Sequence, residues 1–513
     1  MDPFPLLPID RKIGAKFPGR AFVNGGRVRS FAINQIHRGS EPAVKDFDYV
    51  LVATTLEEAW QKLRPLGDIV LEGAKFPVFK IKTPDGLDLD VALARRESST
   101  GTGHSDFEAD FGIEVTLEQD AERRDFTMNM LSQCCDGGEI YAPFRALEHI
   151  ERREIHVIRD STFSDDPLRM YRAAQFAARL EFTIADETFA LMRRDAHLAP
   201  TISRERFGAE FEKMIMRSRI PSIGMNVILE SGLMTHILPE VAEGNGIIQN
   251  RHHMYDVYTH NMNALDSAAS RGADYTSRLA ATFHDVGKPR TRAPRPDGQG
   301  FTFYNHERVG ADMVPSILRR LSVNTQKIED VVSLVACHMY QTIASHGEPL
   351  TDAALRRSII RIARGTEDLE VARLRLQLQF DLRCDDRMGS GRSMHEREYE
   401  NSAYEQRCFE LIEKGVALNV KGLDIKGVHV MDEIVRGGTR PMGYRGDKLI
   451  GDVLNELLKI VTEDPAMNER SKLIAATQEI VAAEYIQNHK HHTLIREENY
   501  QTDDVQHGSR STR

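Results

Sequence analysis

Cysteine is scarce: the 513-residue chain has five, and none stands in a C-x-x-C spacing. Cys134 and Cys135 are direct neighbours, unsuited to the loop of a structural zinc site. The count and spacing argue against a disulfide framework and a zinc ribbon, and free thiols in a chain of this size fit a reducing cytoplasm. No uninterrupted apolar run reaches the length that spans a bilayer, and the opening MDPFPLLPID lacks the basic start of a secretion signal. The expected location is cytoplasmic. Basic residues are not in excess either: 67 Lys and Arg against 77 Asp and Glu leave a formal net charge of −10. Any nucleic-acid surface must then be local, because affinity for phosphate needs clustered Lys and Arg. HIERREIHVIR, ALMRRDAH and SRERFGAEFEKMIMRSR are candidates, although their interspersed acids fit a solvated helix face equally well. Internal repeats are absent. The composition, 41% hydrophobic and 28% charged, is that of a soluble globular protein, and the length calls for several domains.

What the chain does have is paired acids. In KDFDYVLVA, Asp46 and Asp48 are two residues apart in a strand-like segment, where side chains alternate faces, so both carboxylates should point one way. Two hard-oxygen donors on one face suit Mg2+, which keeps part of its water shell and accepts few protein carboxylates beside phosphate oxygens. In LDLDVALAR, Asp88 and Asp90 alternate with Leu87, Leu89 and Val91, so one or both could face the same cleft from a neighbouring strand. A solvated strand end gives the same Asp-x-Asp pattern; the company it keeps is what favours a site. RAFVNGGRVRS reads as a short strand, then Gly25 and Gly26 allowing backbone N–H groups close to a triphosphate, then a helix start carrying Arg29. TLEQDAERRDFTMNML sets Arg123 and Arg124 against Asp125. FSDDPLRMYRAAQFAARL predicts a helix capped by Ser164, with Asp166, Arg169 and Arg172 recurring every three residues along one side.

A carboxylate only accepts hydrogen bonds and a guanidinium only donates, so Asp166 with Arg169 offers one acceptor and one donor. Cytosine and adenine present an exocyclic amine beside a bare ring nitrogen and fit this pair. Uracil and guanine present a carbonyl beside a ring N–H, which sets acceptor against acceptor and leaves buried groups unpaired. An ordinary salt-bridged helix accounts for the same residues.

The order GGRVR, DFD, DLDVALAR, ERRDFTMN, DDPLR and ISRERF resembles the class II tRNA nucleotidyltransferase and poly(A) polymerase family over most of the chain. The stretches LEGAKFPVFK, DVALARRESSTGTGHSDF and VTLEQDAERRDFT are most similar to the bacterial CCA-adding enzymes that carry an HD domain. The resemblance implies addition of C, C and A to the 3′ end of tRNA from CTP and ATP, without a nucleic-acid template. It assigns Mg2+ to Asp46 and Asp48, with Asp90 as a third carboxylate or base; the nucleotide to Gly25, Gly26, Arg29, Arg124 and Arg172; and the base to Asp166 and Arg169. Two positions depart from the family: Ser30 stands where Asp usually follows GGxVR, and Gln175 replaces an arginine three residues after Arg172. Gln175 can still donate hydrogen bonds to a nucleotide, without the charge that strengthens contacts to phosphate. The Gly-, Ser- and Thr-rich stretch between Arg95 and Gly112 reads as a mobile loop, which in the family helps turn a C-adding pocket into an A-adding one.

A second constellation starts after residue 250. His260, the adjacent His284 and Asp285, and the distant Asp385, with Asp386 as its alternative, resemble the HD phosphohydrolase ligand set. Imidazole and carboxylate ligands suit a divalent transition metal, Ni2+ or Mn2+ among them, that activates hydroxide against a phosphate ester. His306 and His338 are accessory candidates for substrate or a further metal. The resemblance implies 2′,3′-cyclic phosphodiesterase, 2′-nucleotidase and phosphatase activities. His252-His253, and His489 with His491 and His492, read as exposed polar tract.

The expected architecture is α+β: a nucleotidyltransferase α/β head over 20–150, then an all-helical remainder. That remainder comprises a neck over 151–240 with the base-reading helix, an HD domain over 241–400, an RNA-binding tail over 401–486 and a disordered C-terminus over 487–513. The expected partners are tRNA, CTP and ATP, and no membrane. A poly(A) polymerase, or an HD RNA-end phosphohydrolase with an impaired transferase head, are the competing readings.

Overall fold

Alternating apolar residues in the first 150 positions build one mixed sheet, and longer 3.6-residue periodicity afterwards builds helices. The computed structural model describes residues 4–39, 46–73, 76–99, 107–111, 113–249, 254–298, 300–339, 351–391 and 394–483. Residues 100–106 and 112 of the Arg95–Gly112 loop, His252, His253 and the whole segment beyond 483, with His489, His491 and His492, lie outside them. The chain divides into two compact units, Met1–Glu329 and Asp330–Arg513, a boundary that falls inside the span read as one HD domain.

In the first unit, strands β1 (Ala21–Asn24), β2 (Phe47–Leu51), β3 (Asp68–Glu72), β4 (Val78–Lys82) and β5 (Asp88–Leu93) enter a seven-stranded sheet. Strands β6 (Arg96–Ser99) and β7 (Phe107–Asp110) form a separate antiparallel pair, and β8 (Ser132–Cys134) and β9 (Ile140–Tyr141) complete the large sheet. Its order is β3-β4-β5-β2-β1-β8-β9; β2 and β5 run parallel, and the remaining neighbours antiparallel. Helix α1 (Pro8–Lys16) and helix α2 (Gly26–His37) are tied to the sheet by a buried network. Asp10, fully buried, accepts from both Nη atoms of Arg27 at 2.9 Å and from the Tyr49 hydroxyl at 2.6 Å. Because Tyr49 alternates with Asp48, the residue that anchors β2 from one face leaves its neighbour for the other.

The head also carries α3 (Leu56–Leu63), α4 (Leu117–Glu122) and α5 (Ala146–Glu151). The neck begins with a single turn, α6 (Thr162–Asp165), then α7 (Leu168–Leu180), α8 (Asp186–Asp195) and α9 (Arg204–Arg217). Ser164 lies inside α6 and caps nothing; Pro167, with its fixed φ, starts α7, and Asp166 sits in extended conformation between the two helices. The base-reading acid thus precedes the helix that carries Arg169 and Arg172. Further helices at Val257–Ser270, Tyr275–Phe283 and His306–Arg320 follow, the first two capped by Asp256 and Asp274.

The second unit is helical. Leu355, Ile359, Leu376, Phe380 and Leu411 form one core, from helices Asp352–Ala363, Leu369–Gly389 and Met394–Glu413. In the tail, Leu449, Val453, Leu457 and Val461 recur every four residues on helix Lys448–Glu463 and pack with Val430 and Ile434, so this spacing serves a core. Among the described residues, no helix is long and apolar enough to cross a membrane.

Candidate active site

Strand register assembles the acids. Asp48 on β2 stands directly opposite Asp90 on β5, and Asp90 directly opposite Lys80 on β4, so the three share one face of the sheet. Asp46 lies one residue before β2 and is exposed, outside the strand that was expected to hold it. Burial, then the negative charges of Asp90 and Asp46, hold the Asp48 carboxyl above its ordinary range. Like-charged oxygens compressed in this way are a fit for a divalent cation. Asp88, at the start of β5, is exposed opposite Lys82 and takes no part.

Gly25 ends β1 and starts α2 with φ +73°. A Cβ there would also meet the Asp48 Oδ2 at 3.2 Å, so the glycine is required by backbone and by contact alike. Gly25→Ala is expected to cost about 1–3 kcal/mol of stability and to lower nucleotide addition further by displacing Asp48. Thermal melting, and activity of the folded fraction, separate the two effects.

Above the acids opens a cleft of about 440 Å3 lined by Gly25, Gly26, Arg29, Arg124, Asp166 and Arg169, among others. Its wall is an alternating chain of charges. The Arg29 Nη1 donates to Asn129 Oδ1 at 2.7 Å, the Asn129 amide to Asp125 Oδ1 at 2.9 Å, and the Arg172 Nε to Asp125 Oδ2 at 2.7 Å. Arg29 and Arg172 both lie against the Phe176 ring, 4.9 and 5.4 Å from its centroid. Burial opposes the Asp125 charge, but Arg172 and Asn129 outweigh it and keep the carboxyl below its ordinary range. Arg123 and Arg124 do not pair with Asp125. They hold buried Asp120 at 2.9 and 2.8 Å, three and four residues back along α4, where helix geometry brings side chains together. Burial works against the Asp120 charge, yet the two guanidinium groups lower its pKa to about 2.

Asp166 is held by Arg206 of α9, whose Nη2 lies 3.2 and 2.9 Å from the two carboxylate oxygens. Arg169 donates to the Arg123 and Thr162 carbonyls at 2.7 and 3.4 Å. Both residues line the cleft, with Asp166 anchored across helices by Arg206. Arg206 belongs to the ISRERF motif, so its presence was visible in sequence although its partner was not. Ser30 and Gln175 are buried and do not line the cleft. Gln175 corrects the expectation of a nucleotide contact: it sits one residue before Phe176, turned by about 100° around α7.

A second cluster lies in the same unit. The His260 and His284 Nε2 atoms are 3.0 Å apart, and lie 3.3 and 3.4 Å from Asp285 Oδ2; His306 Nε2 is 3.1 Å from Asp285 Oδ1. The Nδ1 atoms of His284 and His306 face the Ala281 and Phe303 carbonyls at 2.9 and 2.7 Å. A carbonyl only accepts, so each Nδ1 carries the proton and each Nε2 turns a lone pair toward the carboxylate. That acceptor-on-acceptor arrangement fits a cation between them. Lys288, unremarked in the sequence though three residues after Asp285, reaches Oδ2 at 2.5 Å and Gln249 Oε1 at 2.7 Å. Burial disfavours the Asp285 charge, but the Lys288 ammonium outweighs it and keeps the carboxyl well below its ordinary range. A Cβ at Gly287 would lie 2.2 Å from the His306 carbonyl oxygen, so the His-Asp turn and the His306 helix meet only through glycine. His338 and Asp385, both buried, and half-buried Asp386 belong to the second unit; the His338 Nδ1 faces the Val335 carbonyl at 2.6 Å.

Residues 21–156 match the poly(A) polymerase head domain, which places the first unit's sheet and cleft in the class of nucleotidyltransferase heads. Residues 181–244 match the probable RNA and SrmB-binding site of polymerase A, and residues 257–368 the HD domain. The multifunctional CCA protein of Burkholderia vietnamiensis is 36% identical over 307 residues, 57% of this chain and 70% of that one. The A-adding tRNA nucleotidyltransferase of Deinococcus radiodurans is 34% identical over 252 residues, 48% of this chain and 56% of that one. The crystal structure of the Bacillus stearothermophilus CCA-adding enzyme in complex with CTP superposes with TM-score 0.59 at 18% identity, covering 94% of this chain and 100% of that one. The chain belongs to the tRNA nucleotidyltransferase and poly(A) polymerase family, among the bacterial CCA-adding enzymes with an HD domain. Both matched domain types imply dependence on divalent metal.

Proposed function

We propose that this chain adds or repairs the 3′-terminal CCA of tRNA from CTP and ATP, and that its HD cluster hydrolyses phosphate esters at RNA ends. The observation that carries the first part is the Asp48–Asp90 row beneath the Gly25 turn, opening into a cleft that contains Asp166 and Arg169. Asp46, Asp48 and Asp90 would hold Mg2+, which when bound supplies charge neutralisation for the polyphosphate and acidifies the attacking hydroxyl. Arg29, Arg124 and Arg172 would bind phosphate oxygens, the backbone at Gly25 and Gly26 would admit them closely, and Asp166 with Arg169 would orient the base. Incubating the protein with tRNA lacking CCA, CTP, ATP and Mg2+ tests this. Three added nucleotides support it, a long adenylate ladder indicates a poly(A) polymerase, and phosphate release without extension indicates a hydrolase with an impaired head.

For the HD cluster, His260, His284, Asp285 and one of Asp385 or Asp386 would hold a transition metal such as Ni2+ or Mn2+, with His306 and His338 accessory. The activities in view are 2′,3′-cyclic phosphodiesterase, 2′-nucleotidase and phosphatase. Asp285→Ala is expected to reduce bound transition metal and phosphate release by about tenfold or more, while CCA addition persists. Metal analysis of Asp385→Asn and Asp386→Asn identifies the last ligand.

A further inference from the structure

The acid row runs on across the sheet to a cation. Across the sheet, β2 contributes Asp48, β5 contributes Asp90, β4 contributes Lys80 and the edge strand β3 contributes Val70, each directly opposite the next. The Lys80 Nζ lies 2.5 Å from Asp90 Oδ2. Two carboxylates directly opposite one another repel, and the cation beyond them offsets that repulsion from a position set by register. The pair is 43% and 39% exposed, so its contribution to global stability is small; its influence is on the acids beside it. A carboxylate gripped through one oxygen presents the other, and a positive charge at that distance competes with any second cation for the same group.

We infer that Lys80 is a positioning residue for the transferase site, a strand-fixed counter-ion that orients Asp90 through one oxygen and weakens the acid row's hold on divalent metal. This rests on the reading of the acid row as the Mg2+ site. In the metal-free chain the ammonium, on the side of Asp90 away from Asp48, draws the Asp90 carboxylate toward β4 and offsets the repulsion between the two acids. In the loaded chain it limits Asp90 to one oxygen for the metal or for the attacking hydroxyl's proton.

The test uses the full chain in an Asp285→Ala background, so that Mn2+ binding reports the head, and measures free Mn2+ by electron paramagnetic resonance. Lys80→Met is expected to bind Mn2+ about three- to tenfold more tightly, and to reach half-maximal addition at correspondingly lower Mg2+. Lys80→Arg, which keeps the charge, should stay near the parent in both. Unchanged Mn2+ affinity in Lys80→Met overturns the inference, and so does a raised KM for CTP and ATP with metal binding unaltered, which would make Lys80 a phosphate contact. Failure of the acid-row reading itself is distinguishable, because Asp48→Asn would then leave Mn2+ binding in this background intact.

Discussion

Asp48→Asn should lower nucleotide addition by about a hundred- to a thousandfold or more, and should at the same time stabilise the metal-free protein near neutral pH. The loss follows from removing the carboxylate that lies under the Gly25 turn and opposite Asp90. The gain follows from the raised Asp48 pKa, caused first by burial and then by Asp90 and Asp46. A folded chain that holds this proton more tightly than the unfolded chain is stabilised at low pH. That stabilisation is lost as pH rises from the ordinary carboxylate value through the raised one. Above that window the ionised group is a net cost of folding, which the neutral amide does not incur. Thermal melting in a chelator between pH 4 and 8 should show the parent falling behind the variant as pH rises, with the two converging at the acid end. A variant that melts below the parent at pH 7 would mean that Asp48 is stabilised by its surroundings, and that the acids are not compressed.

Local periodicity made the acid row readable, and distance along the chain concealed what surrounds it. Alternation placed Asp48 and Asp90 on the face of their strands opposite the buried Tyr49, Leu89 and Val91, and β2–β5 pairing then set them opposite each other. The same alternation, carried back to Asp46, puts it on that face, but β2 starts only at Phe47. Lys80 could not be tied to Asp90 without knowing the β4–β5 register, and Arg206 could not be tied to Asp166 forty residues earlier without the packing of α9 beside α7. The Asp120 partnership with Arg123 and Arg124 was within reach, since helix spacing alone predicts it; the adjacent Asp125 drew the reading away. Gln175 misled for a different reason. A motif position carries chemistry only if its side chain turns toward the cleft, and on α7 that is settled by the neighbouring Phe176 and Arg172. In the second cluster His260, His284 and His306 lie against Asp285, and the His284 and His306 imidazoles are each fixed from behind by a carbonyl in their own local turns.

Asp166→Ala is expected to relax base choice far more than it harms metal binding. The cleft distinguishes cytosine from uracil only if an acceptor is held where the exocyclic amine will arrive, and Asp166 is the carboxylate so held, by both contacts from Arg206. Sites that leave a wrong ligand's buried groups unpaired can discriminate by about 10⁴-fold or more, so loss of the acceptor should lower the CTP-over-UTP preference by about a hundredfold or more. Asp48 and Asp90 stand on strands apart from this clamp, and Mn2+ affinity should be unchanged. Arg206→Ala should give a milder version, since the carboxylate remains but is free to turn, and Arg206→Lys, which keeps a cationic donor for the carboxylate, should recover part of the selectivity. Single-turnover incorporation of each of the four nucleoside triphosphates onto tRNA ending before CCA reads all three variants. Strict selection of CTP and ATP by Asp166→Ala would remove this residue from base reading and leave the clamp a purely structural link between α9 and the start of α7.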